Sequence, residues 1–95
     1  MKVIITQSAQ TDLREIARYI AQDNPKHART FAQELKDRAL AIGDTPYGSP
    51  LMEWFEAAGF RRKPYRDYAI IYKVIAEKVY VTRILHSARD IDTLL

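Results

Sequence analysis

The sequence predicts an α+β fold in which a short N-terminal strand, an antiparallel helical hairpin and three further strands follow one another as β-α-α-β-β-β. Three observations predict it. A β-branched apolar triplet lies at 3–5, two segments with apolar residues at helical spacing lie at 8–22 and 25–43, and a β-rich stretch lies at 60–89. A length of 95 residues suits one domain spanning 1–95. Because the chain has no cysteine, packing alone must hold its core.

The first strand and the first helix follow each other directly. The apolar residues at 3–5 predict a short strand that is buried on both faces. Ser8 is the predicted N-cap of the helix, and Asp12 then lies in its first turn, where the helix dipole favours a negative charge. This helix is expected to end near Gln22. Its apolar stripe consists of Leu13, Ile16, Ala17 and Ile20.

A second helix begins after a short break. Asn24 can cap it, Pro25 suits its first position, and Gly43 is its predicted end. Since few residues join the two helices, they must run antiparallel, and their combined apolar stripe must cover a sheet. The apolar positions of the second helix are Ala28, Phe31, Ala32, Leu35, Ala39 and Ile42.

The segment 43–59 is punctuated by Pro and Gly but is too apolar for a free linker. It predicts a packed loop that contains a short turn of helix. Trp54 is expected to pin this loop to the core rather than to stack on a ligand, because aromatic residues commonly serve packing. The end of the chain, 87–95, is predicted to form a capped turn of helix.

Three strands are predicted at 60–63, 68–75 and 79–86, with turns at 64–67 and 76–78. Strict alternation divides each strand between two faces. The middle strand then has Tyr68, Ile70, Tyr72 and Val74 on one face, and Ala69, Ile71, Lys73 and Ile75 on the other. The last strand has Val79, Val81, Arg83 and Leu85 on one side, and Tyr80, Thr82, Ile84 and His86 on the other.

Both faces of this sheet are mostly apolar, whereas an antiparallel sheet in a small domain normally shows one face to water. The sheet therefore needs two covers. The helical hairpin supplies one of them. The second is either the 43–59 loop together with the tail, or a partner protein that lies across the open face.

The stretch 60–89 also concentrates positive charge. It carries eight Lys or Arg against two acids, a net of +6, while the other residues carry seven bases and ten acids, a net of −3. This asymmetry predicts a binding surface for an anionic partner. The longest apolar run is far shorter than the roughly 20 residues that cross a bilayer, so the sequence predicts no membrane partner.

Several short motifs in order along the chain resemble the ParE branch of the RelE/ParE family of bacterial toxins from toxin–antitoxin pairs. The resemblance covers essentially the whole chain, and it is the order and spacing of the motifs that make it specific. The matching residues are Ser8, Ala9, Asp12, Leu13, Ile16, Tyr19 and Ile20, then Pro46 and Gly48, then Arg61 and Arg62, then 68–72, and finally 84–90.

This resemblance implies a helical hairpin on one face of a mainly antiparallel sheet. It also implies a ParD-like antitoxin that wraps the toxin in a hetero-oligomeric complex, commonly by a disordered segment that folds on contact. ParE-type toxins block DNA gyrase, whereas RelE-type relatives cut messenger RNA on the ribosome. The resemblance further implies a cytoplasmic location, growth arrest and a role in plasmid stabilisation, with no cofactor and no small-molecule ligand.

The RelE-type activity can be tested against the residues. Metal-independent RNA cleavage requires a base for the 2′-hydroxyl, cations for the charged phosphorane and an acid for the leaving oxygen. Under this alternative Arg61, Arg62, Arg66 or Arg83 would stabilise charge. His86 would be the base, because an imidazole titrates near neutral pH. No residue after His86 is a suitable proton donor, although RelE-type members tend to place one near the chain end. The sequence therefore favours action by binding, with no catalytic residue.

A histidine at a strand end also has an ordinary interpretation, since His86 could simply cap the turn that follows. Metal binding is not indicated. The chain has no cysteine, and His27 and His86 lie far apart on different predicted elements.

Direct nucleic-acid binding is a third hypothesis, because the run 61–66 mixes cations with one tyrosine. A basic strand edge that discourages aggregation would have the same composition. An acidic antitoxin segment could equally pair its carboxylates with these arginines, and this is the use that we favour. The predicted partner-binding residues are Arg61, Arg62, Tyr72, Arg83, Ile84, His86 and Arg89.

Overall fold

The computed structural model describes residues 1–53 and 58–90. It contains β1 (Lys2–Ile5), α1 (Gln7–Ala21), α2 (Pro25–Ala41), a 3-10 turn (Ile42–Asp44), β2 (Phe60–Tyr65), β3 (Tyr68–Ile75) and β4 (Lys78–His86). The strands form one four-stranded sheet in the order β1-β4-β3-β2, in which β1 runs parallel to β4 and the other pairs are antiparallel. The predicted β-α-α-β-β-β fold is confirmed. The expectations for Trp54 and for the end of the chain at 91–95 fall outside the described residues.

The start of α1 differs from the prediction, because the N-cap is Thr6 and not Ser8. The Thr6 hydroxyl accepts a hydrogen bond from the Ala9 amide at 3.3 Å and donates one to the Val81 carbonyl at 2.9 Å. The cap thus ties the helix to β4, which a local sequence pattern cannot reveal. As a result Asp12 lies beyond the first turn of α1 and is buried, so the expected role of its charge at the helix terminus was wrong.

The start of α2 agrees with the prediction. The Asn24 side chain accepts a hydrogen bond from the His27 amide at 3.0 Å, and Pro25 occupies the first turn. Gly43 follows in the 3-10 turn. A Cβ added there would lie 2.4 Å from the Met1 carbonyl oxygen, so the close approach of the N-terminus requires a glycine.

The helical hairpin covers one face of the sheet, which we call the helix-covered face. From the helices, Ile16, Phe31 and Leu35 are buried against this face. The strands contribute Tyr68, Ile70, Tyr72, Val79, Val81 and Ile84. The Tyr72 side chain is fully buried, and its hydroxyl donates to the Pro46 carbonyl at 2.9 Å, which fixes the loop after α2 to the core.

A β-bulge in β4 changes the alternation of its side chains. Ile71 pairs with Arg83 while Tyr72 pairs with Val81, so β4 has one residue more than β3 at this point. Val81 therefore packs on the helix-covered face and Leu85 on the opposite one, whereas strict alternation had placed them together. Ile84 likewise moves to the helix-covered face, so the predicted division of the last strand was wrong beyond Val81.

The opposite face, which we call the outer face, is partly covered by the loop before β2. Ala69, Ile71 and Leu85 form a small buried cluster there, with Met52 and Phe60 packed against it. Backbone hydrogen bonds hold the loop to β2, from Met52 to Phe60 at 2.9 Å and from Arg62 to Pro50 at 3.3 Å. The loop is thus one of the two covers that the sequence left open, and the part of it that the structure describes packs against one end of this face.

Both hairpin turns in the second half of the chain consist of two residues. Tyr65 pairs with Tyr68, so β2 extends beyond Pro64, which an edge strand tolerates. Between β3 and β4, Ala76 and Glu77 both adopt positive φ, at 49° and 62°. This left-handed pair gives a type I′-like turn, which matches the twist of the two strands.

Candidate functional site

Asp12 of α1 and Arg83 of β4 form a bidentate ion pair at the bulge. Arg83 Nε donates to Asp12 Oδ2 at 2.8 Å and Arg83 Nη2 donates to Asp12 Oδ1 at 3.0 Å. The Ile84 amide adds a third hydrogen bond to Oδ2 at 2.9 Å. The hydrogen bond that Arg83 donates to Asp12 raises the pKa of Arg83 above its ordinary value, against a smaller opposing effect of burial. Arg83 is therefore a fixed cation, and 41% of its side chain remains exposed.

Beside this ion pair, two adjoining cavities form a cleft between the helices and the C-terminal end of β4, which we call the β4 cleft. The first cavity has a volume of about 310 Å³ and is lined by Asp12, Glu15, Ile16, Tyr19, Tyr68, Arg83, Ile84, Leu85, Arg89 and Asp90. The second has about 320 Å³ and is lined by Tyr19, Ile20, His27, Phe31, Arg66, Asp67, Tyr68, His86 and Arg89. Tyr19, Tyr68 and Arg89 line both.

These shared residues contact one another and His86. The Arg89 guanidinium lies 5.2 Å from the centre of the Tyr19 ring, a cation–π contact. The Tyr68 ring meets the His86 ring edge to face, with 5.3 Å between centres. Burial raises the pKa of the Tyr68 hydroxyl, while the Arg89 charge opposes the shift. Tyr68 is consequently neutral at physiological pH.

The turn after β4 is capped by Asp90 rather than by the imidazole of His86. The His86 amide donates to Asp90 Oδ2 at 3.1 Å, and the Asp90 amide donates to the His86 carbonyl at 2.9 Å. His86 Nδ1 is buried and has no hydrogen-bond partner in the structure. The capping interpretation of the imidazole is thus wrong, and His86 is a wall of the second cavity.

Neither a metal cluster nor a membrane span is found within the described ranges. No group of three or more His, Cys, Asp or Glu residues in 1–53 and 58–90 could hold a metal ion. None of the helices formed by those residues is long and apolar enough to cross a bilayer.

The sequence of the chain matches the family model of the ParE toxin of type II toxin–antitoxin systems, parDE, over residues 3–91. The chain belongs to this ParE toxin family. No curated protein sequence matches it.

Solved structures agree with the fold of this ParE-family toxin. It is similar to a chain of the chromosomal ParDE system from P. aeruginosa, with a TM-score of 0.78 and 18% identity over 90% of this chain and 95% of that chain. It is also similar to a chain of the RelBE2 toxin–antitoxin complex from Mycobacterium tuberculosis, with a TM-score of 0.63 and 22% identity over the same shares, 90% and 95%. Both structures share the arrangement of helices and sheet.

The toxin brings some of the predicted partner-binding residues together in the β4 cleft. Arg83, His86 and Arg89 line it. Ile84 also contributes to its wall, but its side chain is only 2% exposed. Arg66, which was considered for RNA cleavage, lies on the second cavity.

The other predicted residues lie elsewhere. Arg61 donates from Nη1 to the Ser49 carbonyl at 2.7 Å and lies over the Tyr47 ring, so it is held by the loop after α2. Arg62 pairs with Ile71 on the outer face. Tyr72 is fully buried, and the structure does not support its role as a contact residue.

Sequence reasoning did not select Tyr19, His27 and Tyr68 as residues of the β4 cleft. Tyr19 was recognised only as part of a family motif, yet 57% of its side chain is exposed. Asp12 did carry a signal, because it lies four residues before Ile16 on the apolar stripe of α1. A carboxylate on such a stripe is buried and needs a cationic partner and hydrogen bonds.

Proposed function

We propose that the toxin inhibits DNA gyrase by binding it, performs no bond chemistry of its own, and is neutralised in the cytoplasm by a ParD-like antitoxin. Membership of the ParE family supports this proposal. So does the separation of the arginines that RNA cleavage would need. Arg61 is engaged by the Ser49 carbonyl and Arg83 by Asp12, on different parts of the sheet.

This separation is the observation that carries the proposal. Stabilising a phosphorane requires several cationic donors that converge on one phosphate. Arg61 lines neither cavity of the β4 cleft, so it does not join Arg66 and Arg83 there. The sequence after His86 also contains no Tyr, Lys or His that could protonate the leaving oxygen.

One observation favours the RelE-type alternative, which is ribosome-dependent cleavage of messenger RNA. The second cavity gathers His27, His86, Arg66 and Arg89. Two imidazoles and two guanidiniums could bind a phosphate and move a proton. Because Arg61 does not join these cations, we keep this activity as the second candidate.

The two functions are separated by assaying the purified toxin on two targets in parallel. We expect it to slow supercoiling by DNA gyrase or to trap cleaved DNA, while messenger RNA on ribosomes stays intact. The matched variant is His86→Gln, which removes the titratable ring. Any RNA cleavage that depends on proton transfer by His86 should be lost in this variant. If the toxin instead cleaves messenger RNA and leaves gyrase unaffected, and if His86→Gln abolishes that cleavage, the proposal is contradicted and the alternative is established.

The antitoxin is tested separately. We expect expression of the toxin alone to arrest growth, and co-expression of the protein encoded by the adjacent reading frame to restore it. The two proteins should purify as one complex. Unimpaired growth on expression of correctly folded toxin would argue against the toxic function itself.

A further inference from the structure

The strand register places a row of side chains across the outer face, at the end away from the covering loop. Val3 and Ile5 of β1 pack on the helix-covered face, so the intervening Ile4 points outward. Ile4 pairs with Tyr80, and Tyr80 pairs with Lys73, so these three side chains lie side by side. Lys73 in turn pairs with Phe60 and lies over its ring at 5.0 Å.

A second row lies next to the first at the edge of the sheet. Lys2 pairs with Lys78, and Lys78 pairs with Ile75. All three are exposed, with 47% of Ile75 accessible to solvent. We call the two rows together the basic sheet patch, which comprises Lys2, Ile4, Lys73, Ile75, Lys78 and Tyr80.

The basic sheet patch combines apolar side chains with positive charge. Its strand positions hold three lysines and no acid, and Arg62 adds a further cation on the same face beside Ile71. Glu77 is the acid in the adjoining turn. The exposed Ile75 and, to a smaller extent, the half-buried Ile4 cost free energy where they contact water, and lysines close to one another repel. Both costs would be relieved by an occupant that is apolar on one side and carries carboxylates along its margins.

Two other occupants fit less well. A second copy of this chain would bring lysines against lysines, which is electrostatically unfavourable. A nucleic acid would satisfy the lysines, but phosphates gain nothing from aliphatic side chains such as Ile4 and Ile75.

We infer that the basic sheet patch is the docking surface for an acidic amphipathic segment of the antitoxin. This inference rests on the proposed antitoxin partner. The segment places apolar side chains on Ile4, Ile75 and Tyr80, and it directs carboxylates toward Lys2, Lys73 and Lys78. It leaves the β4 cleft, at the opposite end of β4, free for a different contact.

The test measures the affinity of the antitoxin encoded beside the toxin gene for two charge-reversed variants. In the first, Lys2→Glu and Lys78→Glu are combined. These residues face each other across the β1–β4 pair, so two neighbouring glutamates replace two neighbouring lysines. The repulsion between the two side chains is similar in both cases, and the thermal stability of the toxin should change little. The matched control combines Lys26→Glu and Lys36→Glu, two exposed positions on α2.

We expect the patch variant to bind the antitoxin about tenfold more weakly than the wild type at low salt, and the control to bind within about twofold. The salt dependence of the affinity should also fall in the patch variant alone. The methyl resonances of Ile4 and Ile75 should shift when the antitoxin is added, whereas those of the buried Ile70 should shift less.

The outcomes separate the inference from the proposed function. If the antitoxin binds neither the wild type nor any variant, the proposed function fails. If it binds the wild type and the patch variant equally, or if the control is weakened as much, the inference fails while the proposed function stands. If the toxin self-associates and the patch variant does not, the patch binds a second copy of the chain. If the toxin binds DNA in a salt-sensitive way and the patch variant does not, the patch binds a nucleic acid.

Discussion

The two faces of the sheet are built from similar residues but are used differently. On the helix-covered face Ile70, Tyr72, Val79 and Val81 are all 0% exposed. On the outer face burial is uneven, because Ile71 is 2% exposed under the loop whereas Ile75, four residues along the same strand, is 47% exposed. Apolar residues on one face therefore stabilise the fold, while Ile75 at the far end of the other remains exposed. Strand composition alone does not distinguish the two environments.

The largest expected difference between the faces concerns stability. Ile70→Ala removes a fully buried side chain and leaves a cavity, so we expect the free energy of unfolding to fall by about 2–5 kcal/mol. Ile75→Ala, on the same strand but half exposed, should cost less than about 1 kcal/mol. Urea denaturation of both variants checks this. Equal losses would mean that the outer face is as tightly packed as the helix-covered one.

The bulge at Arg83 interrupts the alternation of β4 side chains between the two faces. Asp12 stabilises it by accepting hydrogen bonds from Arg83 and from the Ile84 amide. Asp12→Ala leaves the buried Ile84 amide without its acceptor, at a cost of about 1–3 kcal/mol. The partly exposed ion pair adds no more than about 1 kcal/mol. We therefore expect the free energy of unfolding, measured by urea denaturation, to fall by about 1–4 kcal/mol.

Arg83→Met is the matched change on the other side of this contact. It removes the ion pair but keeps the amide hydrogen bond and most of the side-chain volume. Because Arg83→Met also leaves the buried Asp12 carboxylate without its cation, its cost includes that unpaired charge. A smaller loss in Arg83→Met than in Asp12→Ala would therefore show that the amide hydrogen bond, and not the ion pair, holds the bulge.

The order of elements could be predicted because its signals are local. Helical spacing marked both helices, and Asn24 with Pro25 marked the break between them. The cap of α1 could not be assigned in the same way. By type Ser8 is the better cap, and the hydrogen bond from Thr6 to Val81 that favours Thr6 joins residues 75 apart in sequence.

The bulge and the cleft depend on the same kind of distant contact. The sequence around Thr82 and Arg83 is compatible with regular alternation, and the ion pair that accompanies the bulge links residues 71 apart. In the β4 cleft, Arg83, His86 and Arg89 were accessible to prediction because they are close in sequence. Tyr19 and His27 join them only because the hairpin packs against the end of β4.

The smallest expected effect concerns the turn between β3 and β4, which adjoins the open end of the outer face. Ala76 and Glu77 both adopt the left-handed conformation, which Asn and Gly accept more readily. Combining Ala76→Asn with Glu77→Gly should therefore raise the free energy of unfolding by about 0.5–1 kcal/mol, measured by urea denaturation.

The same double variant removes an acid next to the basic sheet patch, so it should also bind the antitoxin slightly more tightly. Glu77→Gln removes the charge without changing the backbone preference, and it should reproduce the change in affinity but not the gain in stability. If Glu77→Gln instead weakens antitoxin binding, then the turn itself contributes a polar contact. The docking surface would then extend beyond the strands, because a patch that recognises carboxylates gains nothing from an acid at its margin.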